Sequence, residues 1–200
     1  MMKNKKQNHI LTAIVSAVMV LCGCSAPAEP TTAVITNPVD IKYQTADMSG
    51  YEYLSEPIAE FREITLEESI RFFKEGGSGI LYYGKDDCYW CNRAVPELNK
   101  VALEYGVPVY YVNTGISPMP PQETVKELVA YIEETFIVVE GEGPVFYVPE
   151  VIGVKQGKIT GAHVSLVDSF EGTIKDKQLT DDQKKELQEY YRKIVEATVD

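Results

Sequence analysis

The chain has 200 residues, 44% of them hydrophobic and 24% charged, which is enough apolar material for one domain of roughly 100–150 residues with segments to spare. Its 30 acids against 19 bases give a formal charge of -11. No stretch gathers lysine and arginine onto one face as a phosphate-tracking protein requires, so nucleic acid is excluded as a partner class.

At the amino end, Lys3, Lys5 and Lys6 precede the apolar run ILTAIVSAVMVL, Ile10 to Leu21. A spanning helix needs about 20 apolar residues, so the run has the layout of an export signal. It ends in LCGC, Leu21 to Cys24, which resembles a bacterial lipobox. Leu21 and Gly23 fit that pattern and Cys22 is a less usual occupant. The resemblance implies that residues 1–23 are removed and that Cys24 is lipidated. The alternative is an ordinary signal cut after Ala26-Pro27-Ala28. Both readings export the chain, but only the first leaves it anchored to a membrane, because a diacyl group holds where one acyl chain is marginal. Residues 24–57, rich in Pro, Thr and Ala at their start, then read as a flexible linker on which Tyr43, Tyr51 and Tyr53 form an aromatic cluster able to dock. With Cys22 cut away and Cys24 acylated, Cys88 and Cys91 remain as the thiols. A disulfide-stapled scaffold is thereby excluded.

The domain is expected over residues 58–200. FREIT, from Phe61, is a short extended run. Thr65 with Glu68 makes a capping box opening a helix with Leu66, Ile70 and Phe73 on one face, stopped by Gly76 and Gly77. GILYYG, Gly79 to Gly84, has the unbroken apolar character of a central strand. The helix after it carries Ala94, Leu98, Val101, Ala102 and Tyr105 at helical spacing, and VPVYYVNT is the next strand. Beyond SPMPPQ, an amphipathic helix is predicted from Gln122 to Phe136. Gly143 to Ser165 reads as a strand pair turned at Gln156-Gly157. A second capping box, Thr180 with Gln183, opens a last helix bearing Leu187, Tyr190, Tyr191, Ile194 and Val195. The order is β-α-β-α-β-α-β-β-α.

The chemistry is carried by Cys88-Tyr89-Trp90-Cys91, between a buried strand and a helix. At a helix N-terminus, free backbone N–H groups and the dipole favour negative charge, so a thiolate is stabilised at Cys88. Cys91 lies one helical turn on, close enough to attack a mixed disulfide formed by Cys88. A zinc site is the rival, but zinc wants four N or S ligands, and the mature chain adds only His163, far along the sequence. An inert buried pair is the other. Asp86 and Asp87 read as a solvated loop, or else Asp87 opposes the thiolate. Tyr89 and Trp90 read as an apolar lip for a substrate peptide, with packing of Trp90 on its own helix as the alternative.

Strand, C-x-x-C, helix and the element order around them resemble the thioredoxin superfamily. Pro96 stands where that family kinks its active-site helix, Val148-Pro149 fits its cis-proline facing the cysteines, and Gly157 follows Pro149 by eight residues. Pro144 is the rival for the cis position. The resemblance implies an α/β thioredoxin-like fold, a central mixed β-sheet flanked by helices, with the C-x-x-C at the N-terminus of a helix. It also implies substrate pairing along Val148 and Pro149 by strand addition. Three departures stand out: Asp87 precedes Cys88, Tyr82 replaces the buried acid six residues before the first cysteine, and Ser165 stands near a position that often holds Gly. More narrowly, the chain is similar to exported thioredoxin-like lipoproteins and bacteriocin-transport-accessory-type proteins of Gram-positive bacteria. The expected activity is extracytoplasmic thiol-disulfide exchange on proteins or peptides, with no cofactor or metal, a redox partner protein, and a lipid anchor on the outer face of the cell membrane. The alternative is an accessory module holding an exported peptide.

Overall fold

The structure is a computed structural model, and it describes residues 33–171 and 177–200. In chain order the elements are β1 (Gln44–Thr45), β2 (Phe61–Glu63), α1 (Leu66–Lys74), β3 (Gly79–Gly84), α2 (Tyr89–Tyr105), β4 (Val109–Asn113) and α3 (Gln122–Ile132). A 3-10 turn (Glu133–Thr135), β5 (Ile137–Val139), β6 (Gly143–Val145), β7 (Glu150–Lys155), β8 (Lys158–Val164) and α4 (Asp181–Thr198) follow. Six strands form one mixed sheet in the order β1-β2-β4-β3-β7-β8. In it β2, β4 and β3 run parallel, β7 runs antiparallel to β3 and β8 antiparallel to β7, and β1 pairs antiparallel with β2 at the far edge.

β3 is central and buried along its whole length, which is why its sequence shows no polar alternation. Successive side chains point to opposite faces. Ile80 and Tyr82 join the core under α2 and α4, and Leu81 and Tyr83 join the core under α1 and α3. α2 stops at Gly106, whose φ of 65° is open to glycine; the Gly106 N–H donates back to Ala102 and Leu103. At α4 the Thr180–Gln183 capping box is complete. At α1 it is half made: Thr65 accepts from the Glu68 N–H, but the Glu68 carboxylate turns to the Lys42 N–H and Arg71.

Three expectations are corrected. The helix predicted to Phe136 ends at Ile132, because the Thr135 hydroxyl donates back to the Ile132 carbonyl at 2.7 Å and a 3-10 turn follows. The strand pair predicted from Gly143 begins in the main sheet at Glu150; Gly143–Val145 pairs instead with β5 in a separate ribbon. Pro144 and Pro149 lack the N–H that a ladder position between β3 and β8 needs. The linker expected over 24–57 is packed structure from Ala33 onward. The Ala33 N–H donates to the Tyr105 carbonyl and the Asp200 N–H to the Val34 carbonyl, each at 2.9 Å. Ile41, Met48 and Tyr51 are buried. The export segment, Cys24 and residues 25–32 lie outside the described residues. Among the described residues, no helix is long and apolar enough to cross a membrane.

Candidate active site

Cys88 is the N-cap of α2, with an extended backbone. Because β3 ends four residues earlier, its thiol is delivered to the rim of the sheet, where the first helical N–H groups have no carbonyl to meet. One of them, that of Cys91, donates to the Cys88 sulfur at 3.2 Å. Cys88 is half-buried, whereas Cys91 is fully buried. The two sulfurs are driven apart in acidity. The pairing with Cys91, opposed by burial and aided by the Cys91 and Trp90 N–H groups and the Lys85 ammonium, lowers the Cys88 thiol to about 7. Burial, together with Cys88, holds the Cys91 thiol well above the ordinary range. The outer sulfur is therefore the more readily ionised of the two.

The loop in front of the helix is clamped by a residue that sequence reasoning passed over. Asn92, 6% exposed, donates to the Asp86 and Cys88 carbonyls and accepts the Glu52 N–H. The sequence gives it no clear signal, because the same helix also buries Arg93, Glu97 and Asn99. Lys85 was also missed. It pairs with Asp87 at 3.1 Å, so the acid before the cysteine is partly neutralised. Both charges are largely solvated, which makes the pair weak in stability terms.

The Val148–Pro149 peptide bond is cis, as are Glu56–Pro57 and Ser117–Pro118, whereas Gly143–Pro144 is not. The Val148 carbonyl lies 3.8 Å from the Cys88 sulfur, so the cysteine pair and the residues before β7 share one site. Tyr89 is 46% exposed, while Trp90 leans on the core between sheet, α2 and α4. The structure thus gives Trp90 the packing role at least. The His163 ring stacks on Tyr190 with centroids 4.5 Å apart, and its Nε2 faces the Leu166 carbonyl. Burial lowers its pKa from the ordinary imidazole range. Among the described residues, no three His, Cys, Asp or Glu side chains gather as a metal site.

Three parallel strands, two antiparallel ones beyond them, helices on both faces and a cysteine pair at the start of α2 settle the class. The fold is thioredoxin-like. No family model and no curated protein sequence matches the chain. Among solved structures it is similar to a thioredoxin from Aeropyrum pernix, at 22% identity over 51% of this chain and 73% of that one, with a TM-score of 0.34. That overlap is too partial to carry an argument, and the class rests on strand order and direction.

Proposed function

We propose that the protein is an exported thiol-disulfide oxidoreductase acting on disulfides or thiols of proteins and peptides, and that Cys24 tethers it to the outer face of the cell membrane. The export and anchoring parts rest on the sequence of residues 1–24. The redox part rests on one observation: the Cys88 sulfur caps α2, accepts the Cys91 N–H at 3.2 Å, and has its thiol lowered to about 7.

Cys88 as thiolate attacks a partner disulfide. A Cys88–partner bond forms, the partner's own S–S bond breaks, and the released sulfur takes a proton from water. Cys91 then displaces the partner and closes the 88–91 disulfide, which a redox partner protein reopens. Reduction and oxidation are the same exchange run in opposite directions. Tyr89, Trp90, Val148 and Pro149 border the sulfur and are the surfaces on which an extended substrate segment would lie.

The test is a redox titration of the reduced protein, with iodoacetamide trapping of Cys88 followed across pH. Labelling should have its midpoint near 7, and oxidation should join Cys88 to Cys91 as a single species. Labelling at the rate of an ordinary thiol, with no 88–91 bond under any oxidant, would overturn the proposal. Cys88→Ser separates it from the accessory reading, in which the cysteines are incidental and the variant keeps its biological function.

A further inference from the structure

To resolve a mixed disulfide, the Cys91 thiol must lose a proton while fully buried. What faces it is a set of phenols. Tyr82 and Cys91 lie in the same buried cluster, and the Tyr82 hydroxyl interacts with the Cys91 sulfur. It lies 3.3 Å from the Tyr51 hydroxyl, which lies 3.2 Å from the Tyr111 hydroxyl. Tyr82, Tyr51 and Tyr111 are 0%, 3% and 3% exposed. The three rings fix one another, Tyr82 stacking on Tyr111 at 5.5 Å and Tyr51 meeting Tyr111 edge-on at 6.2 Å.

Two further features show that the placement is built. A Cβ at Gly84 would come within 2.2 Å of the Tyr82 oxygen, so the missing side chain leaves the space that this hydroxyl fills. Tyr51 arrives from the segment before β2, outside the βαβ core, and its neighbour Glu52 is held by the Asn92 clamp at 2.6 Å. At the far end, Tyr111 is within electrostatic reach of Asp86, whose side chain is at the surface.

We propose that the hydroxyls of Tyr82, Tyr51 and Tyr111 form the proton path of Cys91, with Tyr82 as the member that takes the proton from the sulfur; this rests on the redox reading above. With Cys91 protonated, its S–H points to Tyr82, Tyr82 donates to Tyr51, and Tyr51 donates to Tyr111. On ionisation each oxygen takes one proton from the sulfur side and passes its own outward, the last leaving for water at the Tyr111–Asp86 end. The three bonds then run the other way, and Tyr82 donates to the thiolate. Burial makes a standing phenolate unfavourable at Tyr82 and Tyr51, so the hand-over is concerted. The Cys91 thiolate attacks the Cys88 sulfur. The 88–91 bond forms, the Cys88–partner bond breaks, and the partner's sulfur leaves with the electron pair and takes one proton from water.

The experiment uses 5,5'-dithiobis(2-nitrobenzoate) on the reduced protein. Attack by Cys88 releases one coloured thiolate, and resolution by Cys91 releases the second. Tyr82→Phe and Tyr51→Phe delete the hydroxyl and keep the ring. The second phase should slow by roughly ten-fold or more in Tyr82→Phe, and by less in Tyr51→Phe, with its pH-rate profile displaced upward. The first phase should stay within about two-fold of the parent, since Cys88 is stabilised by helix N–H groups instead. Second phases that coincide with the parent from pH 6 to 9 overturn the proposal. So does a loss shared equally by both phases, which marks a packing role. If Tyr82→Phe shows no cooperative unfolding, Tyr51→Phe decides by the same criteria. Failure of the redox reading looks different: the parent itself releases no second equivalent.

Discussion

Ser165 holds a backbone conformation with φ of 70°, a region that L side chains enter at a cost of about 1–2 kcal/mol and glycine enters freely. It does so one residue past β8, where its N–H donates to the Pro149 carbonyl at 2.8 Å. The strained residue therefore fastens the segment whose other side faces the Cys88 sulfur. The resemblance to the superfamily places Ser165 near a glycine position, and the dihedral supplies the physical reason. Ser165→Gly should raise stability by about 1 kcal/mol, read as a higher urea midpoint. Ser165→Ala is the control, because alanine meets the same clash and should gain nothing. Equal midpoints for the Gly and Ala variants would show that φ carries no strain here. A single dihedral of this kind leaves no trace in a hydrophobic pattern, and only the resemblance points to it.

Glu150, the first residue of β7, is fully buried, its Oε2 has no hydrogen-bond partner, and burial raises its pKa from 4.5 to about 7 against the opposing bond from Thr135. The Thr135 hydroxyl faces two acceptors, the Ile132 carbonyl at 2.7 Å and Glu150 Oε1, with one hydrogen to give. A protonated Glu150 supplies the second bond, and an ionised one leaves it unmade. The folded chain thus retains a proton between pH 4.5 and about 7 that the unfolded chain releases. Its stabilising effect is complete below the lower value and declines as pH rises to the upper one. Each pH unit between those two values is worth about 1.4 kcal/mol, so roughly 3 kcal/mol is lost across the window. Glu150→Gln removes the titration, so urea midpoints at pH 5 and pH 8 should fall further for the parent than for the variant. Parallel falls would refute the assignment. The same stretch marks where the sequence was hardest to read. β3, β4 and α4 were legible from their buried apolar side chains, and α2 from the helical spacing of Ala94, Leu98, Val101 and Ala102 before its stop at Gly106. Between Pro121 and Pro149 the apolar residues serve a short helix, a 3-10 turn and a ribbon in turn, and no single period describes them. The cysteine pair was legible from its spacing, whereas Asn92 and Tyr51 act through contacts that only the folded chain brings together.

For the whole molecule, the consequential revision is where the folded unit begins. The strap from Ala33 to Leu54 serves both cores: Ile41 enters the one under α1 and α3, while Met48 and Tyr51 enter the one under α2 and α4. It adds β1 to the sheet edge by pairing Gln44 with Glu63 and Thr45 with Arg62. It also joins the two ends of the domain, with the Thr36 N–H donating to the Asp200 carboxylate at 2.9 Å. A linker has no reason to place three large apolar side chains out of water, and each such burial is worth roughly 1.5–3 kcal/mol. Area rules give upper values, because unfolded chains already hide part of this surface. A chain beginning at residue 58 should therefore be less stable than one beginning at residue 33 by roughly 4 kcal/mol or more, a large share of what a domain of this size commands. Urea unfolding of the two chains measures it. Matching midpoints would return the boundary to residue 58 and make the strap an ornament on the surface. A large loss shows instead that the stretch from residue 33 onward, which its composition disguises as the end of a linker, is integral to the core that holds the cysteines.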